Sequence, residues 1–516
     1  MRPYDADAIA SAVLAEFQKL PAKRKPCVRD NGIHEWVPLS GIVAKGPNFL
    51  RCLALATGMK CLPASKLPQA RGMAVHDWHA EVLALRAFNR FVLQECRRLL
   101  AADDGEQPRP ASDFLRRRAD AELAAAAGGG PAGNARGHQQ RQQQDEDGEE
   151  DQEERTWQRQ PFAWRDDVSL HMYCSEAPCG DASMELVMAA QDDASPWALP
   201  GARAPLTATA TTETAAKAPS PPLAAEPGQP RVAPGGELLG RGYFSELGVV
   251  RRKPARGDAP ASVSKSCSDK LALKQCTSLL SAVASAVVSP RGVYLATLVL
   301  PASRFSAAAC ARCFSASSLS EWESSELLDC LPPGRMRALA GRRWGASGYA
   351  FAPVAVTTTQ LEFEFSKTAV VGAGAGNEQE TTTRRTGASN LAVVWTCDGL
   401  VEEGLIGGVL QGRKTFDEKG ASAVSRRKMW ELAVEVAGLL GNCHGHGHGD
   451  GDQSRAGDED TGSGQTIASV LAAGTYDELK DGCPLLAARR RVKEEARAKA
   501  LQGWLRNEGD GAFGLV

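Results

Sequence analysis

Apolar positions in this chain come in short ordered blocks separated by long polar stretches. In Asp77 to Arg98 (DWHAEVLALRAFNRFVLQECRR), Val82, Leu85, Phe88 and Val92 recur at three- and four-residue intervals among good helix formers. That spacing predicts a helix with one buried face. Further helices are predicted to begin near Gly180 and near Ser268, and Leu485 to Arg506 is again helical by pattern. Strands are predicted at Ser169 to Tyr173, Gly292 to Leu300, Gln360 to Phe365 and Leu391 to Thr396, where β-branched and aromatic residues gather. Strands alternating with helices predict an α/β sheet fold.

Four stretches break this pattern, at about 103–160, 193–237, 371–388 and 442–466. They are rich in Ala/Gly then Gln/Asp/Glu/Arg, in Ala/Pro/Thr, in Gly/Thr/Glu, and in His/Gly/Asp respectively. Such compositions bury too little apolar surface to offset the entropy of ordering, so they are expected to be disordered insertions. No internal repeat is visible.

Composition narrows the class. Of 516 residues, 43% are hydrophobic and 24% charged, which fits a soluble globular protein with a sizeable core. The formal net charge of −2 argues against a uniformly basic protein that coats nucleic acid. Acids are concentrated in Asp145 to Glu154 and Asp450 to Asp460, however, which leaves the folded part more basic than the whole. The start, MRPYDADAIASAVLAEF, has polar residues interrupting its apolar positions and holds no secretory core or membrane span. The expected location is intracellular, nucleus and/or cytoplasm, with no membrane and no obligate protein partner. Fourteen scattered cysteines are then read as reduced thiols, and any functional ones as metal ligands.

The chemistry concentrates in HDWHAEV around His79 and Glu81 and in SEAPCG around Cys179. A His-x-Glu followed later by Pro-Cys is the zinc-deaminase signature, in which Glu moves protons and does not bind metal. The signature normally continues as Pro-Cys-x-x-Cys, but residue 182 is Ala. A catalytic zinc needs three protein ligands and an open position for water. Cys267, at the start of a predicted helix in SKSCSDKLALKQC, is chosen as the third, because a helix N-terminus favours the thiolate. Cys310 and Cys313 form a Cys-x-x-Cys that lacks a second pair or a nearby histidine, and they are read as buried thiols. His444, His446 and His448 lie in low-complexity sequence and are read as a solvated tract.

These residues resemble the editase-domain adenosine deaminases, a family that comprises the deaminases of double-stranded RNA and the enzyme acting on adenosine 37 of eukaryotic alanine tRNA. The resemblance rests on TGMKCLPASKLPQARGMAVHDWHAEVLALRAFNRF, PCGDASM and SCSDKLALKQ, with weaker echoes at SRRKMW, TYDELK and GWLRN. These blocks lie in family order across nearly the whole chain, and HDWHAE and DKLALKQCTSLL look closest to fungal-type tRNA members. The resemblance implies one editase domain over 1–516, a cytidine-deaminase-like α/β core with a mixed sheet and flanking helices, and added C-terminal helices. It implies zinc on His79, Cys179 and Cys267, with Glu81 as the proton carrier. It also implies a buried inositol hexakisphosphate, for which Arg86, Lys270, Arg426, Tyr476, Lys480 and Trp504 fall on or near the family's positions. Arg490 is added from the basic C-terminal helix. Leu273 stands where the double-stranded-RNA enzymes have an arginine, with Lys274 next to it.

The implied substrate is tRNA, alanine tRNA in particular. Only 78 residues precede His79, and GIHEWVPLSGIVA (33–45) already resembles the domain's first strands, which leaves no room for a double-stranded-RNA-binding domain. Lys60 falls in a segment that lies near the substrate nucleotide in the family, although Met59 replaces a threonine common in relatives. Arg251, Arg252, Lys253 and Arg256 form a basic loop, ordinarily a solvated face, for which contact with RNA phosphates is the alternative. The alternatives are a deaminase of double-stranded RNA or of free nucleoside, and a catalytically silent RNA-binding subunit. The silent subunit is expected to have lost Glu81 or a ligand.

Overall fold

Side chains along the central strands alternate between two apolar faces, so the sheet they form has to be covered on both sides. The computed structural model describes residues 5–100, 111–119, 121–123, 160–190, 238–239, 246–253, 259–316, 334–372, 385–442 and 467–515. Its main sheet has eight strands: β1 (Leu39–Lys45), β2 (Leu50–Thr57), β3 (Ser169–Cys174), β4 (Leu295–Pro301), β5 (Ala355–Thr359), β6 (Ala392–Thr396), β7 (Glu402–Ile406) and β8 (Val409–Leu410). Their order is β5-β4-β3-β1-β2-β6-β7-β8. β5, β4 and β3 pair in parallel and the remaining neighbours are antiparallel, so the sheet is mixed.

One face presents Val43, Leu55, Tyr173, Val299 and Val393 to the first helix, α1 (Ala6–Lys19), which buries Ile9, Ala10, Val13 and Phe17 against them. Gly41 lets that helix come close: a Cβ there would lie 2.5 Å from the Val13 side chain. The other face presents Ile42, Ala44, Met172, Leu298 and Val394 to α2 (Ala80–Leu100) and the rest of the larger core. Before β4 comes α3 (Cys267–Thr277), after it α4 (Ala307–Phe314), and after β8 come α5 (Arg426–Asn442), α6 (Tyr476–Gly482) and α7 (Ala487–Lys499). α5 packs on α2 and α7 on α3, so the C-terminal helices share the α2 core.

The register sets Leu39 opposite Thr57, Ser40 opposite Cys174, and Thr57 opposite Val393. The ends of β2 and β3 and the beginnings of β1 and β6 therefore meet at one end of the sheet. Ligands of open α/β sheets bind beyond such strand ends.

Some sequence expectations shift. Asp77 is bridged antiparallel to Cys61 and α2 starts only at Ala80. Gly180 leads into a single 3₁₀ turn, Asp181–Ser183, followed by a six-residue helix, Met184–Ala189. The C-terminal helix stops at Lys499, and Gly503 follows at φ +83°. Gln360 to Phe365 is no strand, because β5 ends at Thr359. Its alternating aromatics pack on α1 instead of extending the ladder, with the Phe363 ring 4.9 Å from that of Phe17. Two supposed insertions contain paired backbone. Leu115–Arg117 pairs with Phe162–Trp164, held by Phe114 between Phe91 and Trp164, and Thr386–Ala388 pairs in parallel with His34–Trp36. The 193–237 insertion and most of the other three lie outside the described residues.

Candidate active site

The segment after β2 and the segment before α2 run side by side, with the Leu62 N–H donating to the His76 carbonyl at 2.8 Å and the Trp78 N–H to the Lys60 carbonyl at 3.0 Å. This pairing delivers His79 to the sheet end. Its backbone N–H is held by Asp77 Oδ1 at 3.0 Å, and Glu81 follows in the first turn of α2. Cys179 arrives on the loop after β3. Gly180 has φ +105°, and a Cβ on it would lie 2.3 Å from Ser266 Oγ, so glycine is needed for this loop to rest on the start of α3. The Ser268 hydroxyl reaches the Pro178 and Cys179 carbonyls, each at 2.9 Å. Ser266 caps α3 by accepting from the Asp269 N–H at 3.2 Å, which fixes Cys267 as its first residue.

The ligand atoms of His79, Cys179 and Cys267 lie within 4.8 Å of one another, and His79 Nδ1 is 3.7 Å from Cys179 Sγ. Bond lengths of about 2.3 Å to sulfur and 2.0–2.1 Å to nitrogen place tetrahedral donors roughly 3.5–3.8 Å apart. Two sulfurs and an imidazole suit zinc, and three donors leave a position for water. The donor set fits that metal.

The electrostatics also favour a cation here. The Cys267 thiol and N–H both point at Cys179 Sγ, the N–H at 3.4 Å. With Lys253 and His79 they hold the Cys179 thiol well below its usual pKa against the effect of burial. Burial and Lys253 act to lower the His79 imidazole, but the Cys179 thiolate prevails and takes it up to about 10. A metal ion must displace these protons as it binds. Glu81 is buried, and burial together with the nearby Cys179 raises its carboxyl. A raised carboxyl is suited to exchanging protons near neutral pH.

Behind the ligands runs a buried polar chain that the sequence reading did not identify. Lys253, 4% exposed, donates to Asp77 Oδ2 at 2.8 Å and to Cys267 Sγ at 3.3 Å. Ser264 Oγ donates to the same Asp77 oxygen at 2.6 Å, and Lys270 Nζ donates to Ser264 Oγ at 2.6 Å and to Asp77. Burial would raise the Asp77 carboxyl, but the two lysines hold it well below the usual carboxylate range. Lys253→Met should lower unfolding free energy by roughly 3 kcal/mol or more, the scale for stranding one member of a buried ion pair. Adding Asp77→Asn should restore much of that loss. Denaturant titration of both variants measures it.

The basic-loop expectation is therefore corrected. Lys253 serves the metal ligands, and Arg251, 1% exposed, is turned inward, its guanidinium donating to the Glu246 carbonyl and its backbone N–H to Asp269 Oδ2 at 2.9 Å. Neither side chain is free to meet a phosphate. Arg256 lies outside the described residues, as do His444, His446 and His448. Cys310 and Cys313 are both buried in α4 and stand apart from the ligand cluster, with burial pushing the Cys310 thiol up to about 12. Lys60 is exposed at the same sheet end as the ligands, its ammonium on the Asn390 side chain.

The remaining predicted basic residues gather beside the cluster. Arg426 and Lys480 both lie against the Tyr476 ring, at 5.5 and 5.6 Å from its centroid. Burial and Arg426 lower the Arg86 guanidinium to about 10. Arg490 is bound to the carbonyls of Lys480 and Cys483, and Trp504 lies under Arg497 at 5.3 Å. Lys274, noted beside Leu273, has its ammonium driven well down by burial, Arg489 and Lys493. Sequence reading missed Lys493, whose ammonium is driven well down by burial and by Arg489, Arg497, Lys480 and Arg506. Its signal was the ARRRVK run at the start of α7.

Comparison with known proteins agrees with this geometry. The adenosine-deaminase (editase) domain matches residues 54–160 and 138–323. The chain is 30% identical over 439 residues to tRNA-specific adenosine deaminase 1 of Schizosaccharomyces pombe, covering 84% of this chain and 86% of that protein. It is 27% identical over 299 residues to the protein of the same name from Saccharomyces cerevisiae, covering 57% and 58%. A Drosophila melanogaster protein, again of that name, is 40% identical over 89 residues, covering 17% and 21%.

Proposed function

This chain belongs to the adenosine-deaminase (editase) domain family, and from that premise we propose that it converts adenosine to inosine in tRNA, at position 37 of alanine tRNA, by zinc-dependent hydrolysis. The observation that carries the reading is the convergence of His79, Cys179 and Cys267 within 4.8 Å, with Glu81 in the adjoining helical turn. The names of the relatives support tRNA as substrate. The HDWHAE and DKLALKQCTSLL blocks support the alanine assignment. We take the whole chain as one editase domain, since the C-terminal helices share the core of the sheet.

His79 Nδ1 and the sulfurs of Cys179 and Cys267 would hold the zinc, with Lys253 steadying Cys267. Bound there, zinc supplies a Lewis acid that brings the pKa of a water down to about 7. The adenine enters displaced from its stack. The Glu81 carboxylate accepts a proton from the attacking water, passes it to the ring nitrogen N1, and later helps protonate the departing amine. The C6–N bond breaks, a C6–O bond replaces it, and ammonia leaves. A silent RNA-binding subunit is disfavoured because Glu81 and all three ligands are present.

The buried cations support an inositol hexakisphosphate as well. Burial lowers Arg86, Lys480, Lys493 and Lys274, and neighbouring cations add to it in series: Arg426 acts on Arg86 and Lys480, Lys480 on Lys493, and Lys493 on Lys274. Such a series is costly without an anion to offset it. Lys270 would link that group to Asp77 and so to the metal ligands. Mass spectrometry of acid-denatured protein should release a highly phosphorylated inositol, and a purified active protein without one would remove this part of the reading.

We further propose an intracellular location, nucleus and/or cytoplasm. The described cysteines are free thiols. Among the described residues no helix is long and apolar enough to cross a membrane.

The substrate class is tested by offering purified protein total tRNA, a long RNA duplex and free adenosine in parallel. The reading expects inosine in tRNA alone. Deamination of the duplex or of free adenosine at equal rates would overturn it.

A further inference from the structure

Three segments at the ligand end of the sheet carry exposed cations: Lys60 on the loop after β2, Lys367 at the start of the short helix Lys367–Gly372 after β5, and Arg385 before β6. They are tied together around Trp36, which is half-buried. His34–Trp36 pairs with Thr386–Ala388, and the His34 N–H donates to the Arg385 carbonyl at 2.9 Å. The Val37 N–H donates to the Phe365 carbonyl at 2.9 Å, which brings the Lys367 ammonium to 5.9 Å from the centre of the Trp36 ring.

Both edges of this surface join the catalytic loops. The Lys367 backbone bonds Glu176, three residues before Cys179. Lys60 precedes Cys61, whose sulfur lies with Asp77 and His79 in one group of ligand atoms within 4.8 Å. Arg29, by contrast, is occupied: it pairs with Glu35 at 2.8 Å and donates to the Ala388 carbonyl, so it serves the fold. Lys367 and Arg385 form no salt bridge among the described residues.

An aromatic ring set among exposed cations beside the pocket is the chemistry of a single-stranded RNA platform. Resting on the assignment of a tRNA adenosine as substrate, we propose that this surface seats the loop nucleotides flanking the target adenosine. Trp36 stacks a neighbouring base, and Lys367 and Arg385 contact phosphates. Displacing the target base deprives its neighbour of a stacking partner, and the Trp36 ring replaces that partner. The fit is to an unpaired loop, since a base within a duplex has no free face to offer.

The test compares tRNA deamination by the zinc-loaded full chain with that of Lys367→Glu, Arg385→Glu, Trp36→Ala and Trp36→Phe, measuring kcat and KM across a salt series. Wild-type turnover of tRNA is the gate, because its absence sinks the substrate assignment and not the surface alone. Given turnover, each charge reversal should raise KM several-fold with kcat little changed, and flatten the slope of log affinity against log salt by about 0.7 or more. Trp36→Ala should raise KM about tenfold and Trp36→Phe should keep most of the affinity. Arg51→Glu, at the opposite end of the sheet, should leave KM and slope unchanged. Unaltered KM and slope in both charge reversals, or an equal change in Arg51→Glu, would overturn the proposal. The exposed-site variants decide the matter even if Trp36→Ala fails to fold.

Discussion

Glu81→Gln is expected to leave zinc content intact and to lower kcat by about 10³-fold or more, within or beyond the 10²–10⁴ span of a positioned proton carrier. The amide keeps the size and one acceptor oxygen of the carboxylate but cannot take a proton from water. Stability should move the other way. Burial and Cys179 raise the folded pKa of Glu81 above its unfolded value, so its contribution to stability is full below the unfolded pKa and lost as pH rises through the folded one. Above that point the wild type carries a buried charge that the variant lacks. Thermal melts at pH 8 should therefore place Glu81→Gln at or above the wild type. A variant that keeps its turnover removes Glu81 from the chemistry.

Cys267→Ala should abolish both metal content and turnover. The substitution removes one of only two thiolate donors and also frees Lys253, whose ammonium lies 3.3 Å from that sulfur. At a zinc concentration about 100 times the dissociation constant, binding stabilises the folded state by roughly 2.7 kcal/mol. Its loss corresponds to a fall in Tm of about 2–4 °C for a domain of several hundred ordered residues, at roughly 2.1 cal/mol/K of unfolding entropy per residue. Chelation of the wild type should reproduce the shift, and chelation of the variant should have no further effect. A full zinc complement in Cys267→Ala would mean that another donor completes the site.

The metal ligands were legible in the sequence because few residue types can do their work. His79 and Cys179 sit in short local motifs, and the start of α3 marked Cys267 through its Ser cap. The chain of Asp77, Lys253, Ser264 and Lys270 was not legible, since it is assembled from three segments that meet only in the fold. Lys253 was misleading for the same reason: it follows two arginines, and a basic run ordinarily faces solvent, yet here a buried carboxylate and a ligand sulfur hold it inside. Lys493 repeats the lesson, hidden in the basic run of α7. In the fold, β4 and β6 were readable from their β-branched residues and β3 from its apolar and aromatic positions. Gln360 to Phe365 failed because its period-two aromatics are equally satisfied by packing on Phe17.

The most direct measurement is inosine formation in alanine tRNA transcripts carrying either A or G at position 37, using purified protein whose zinc content is recorded. The account predicts inosine at position 37 of the A transcript alone, made by protein holding about one zinc per chain. Zinc-loaded protein that forms no inosine, or forms it equally in the G transcript, would contradict it.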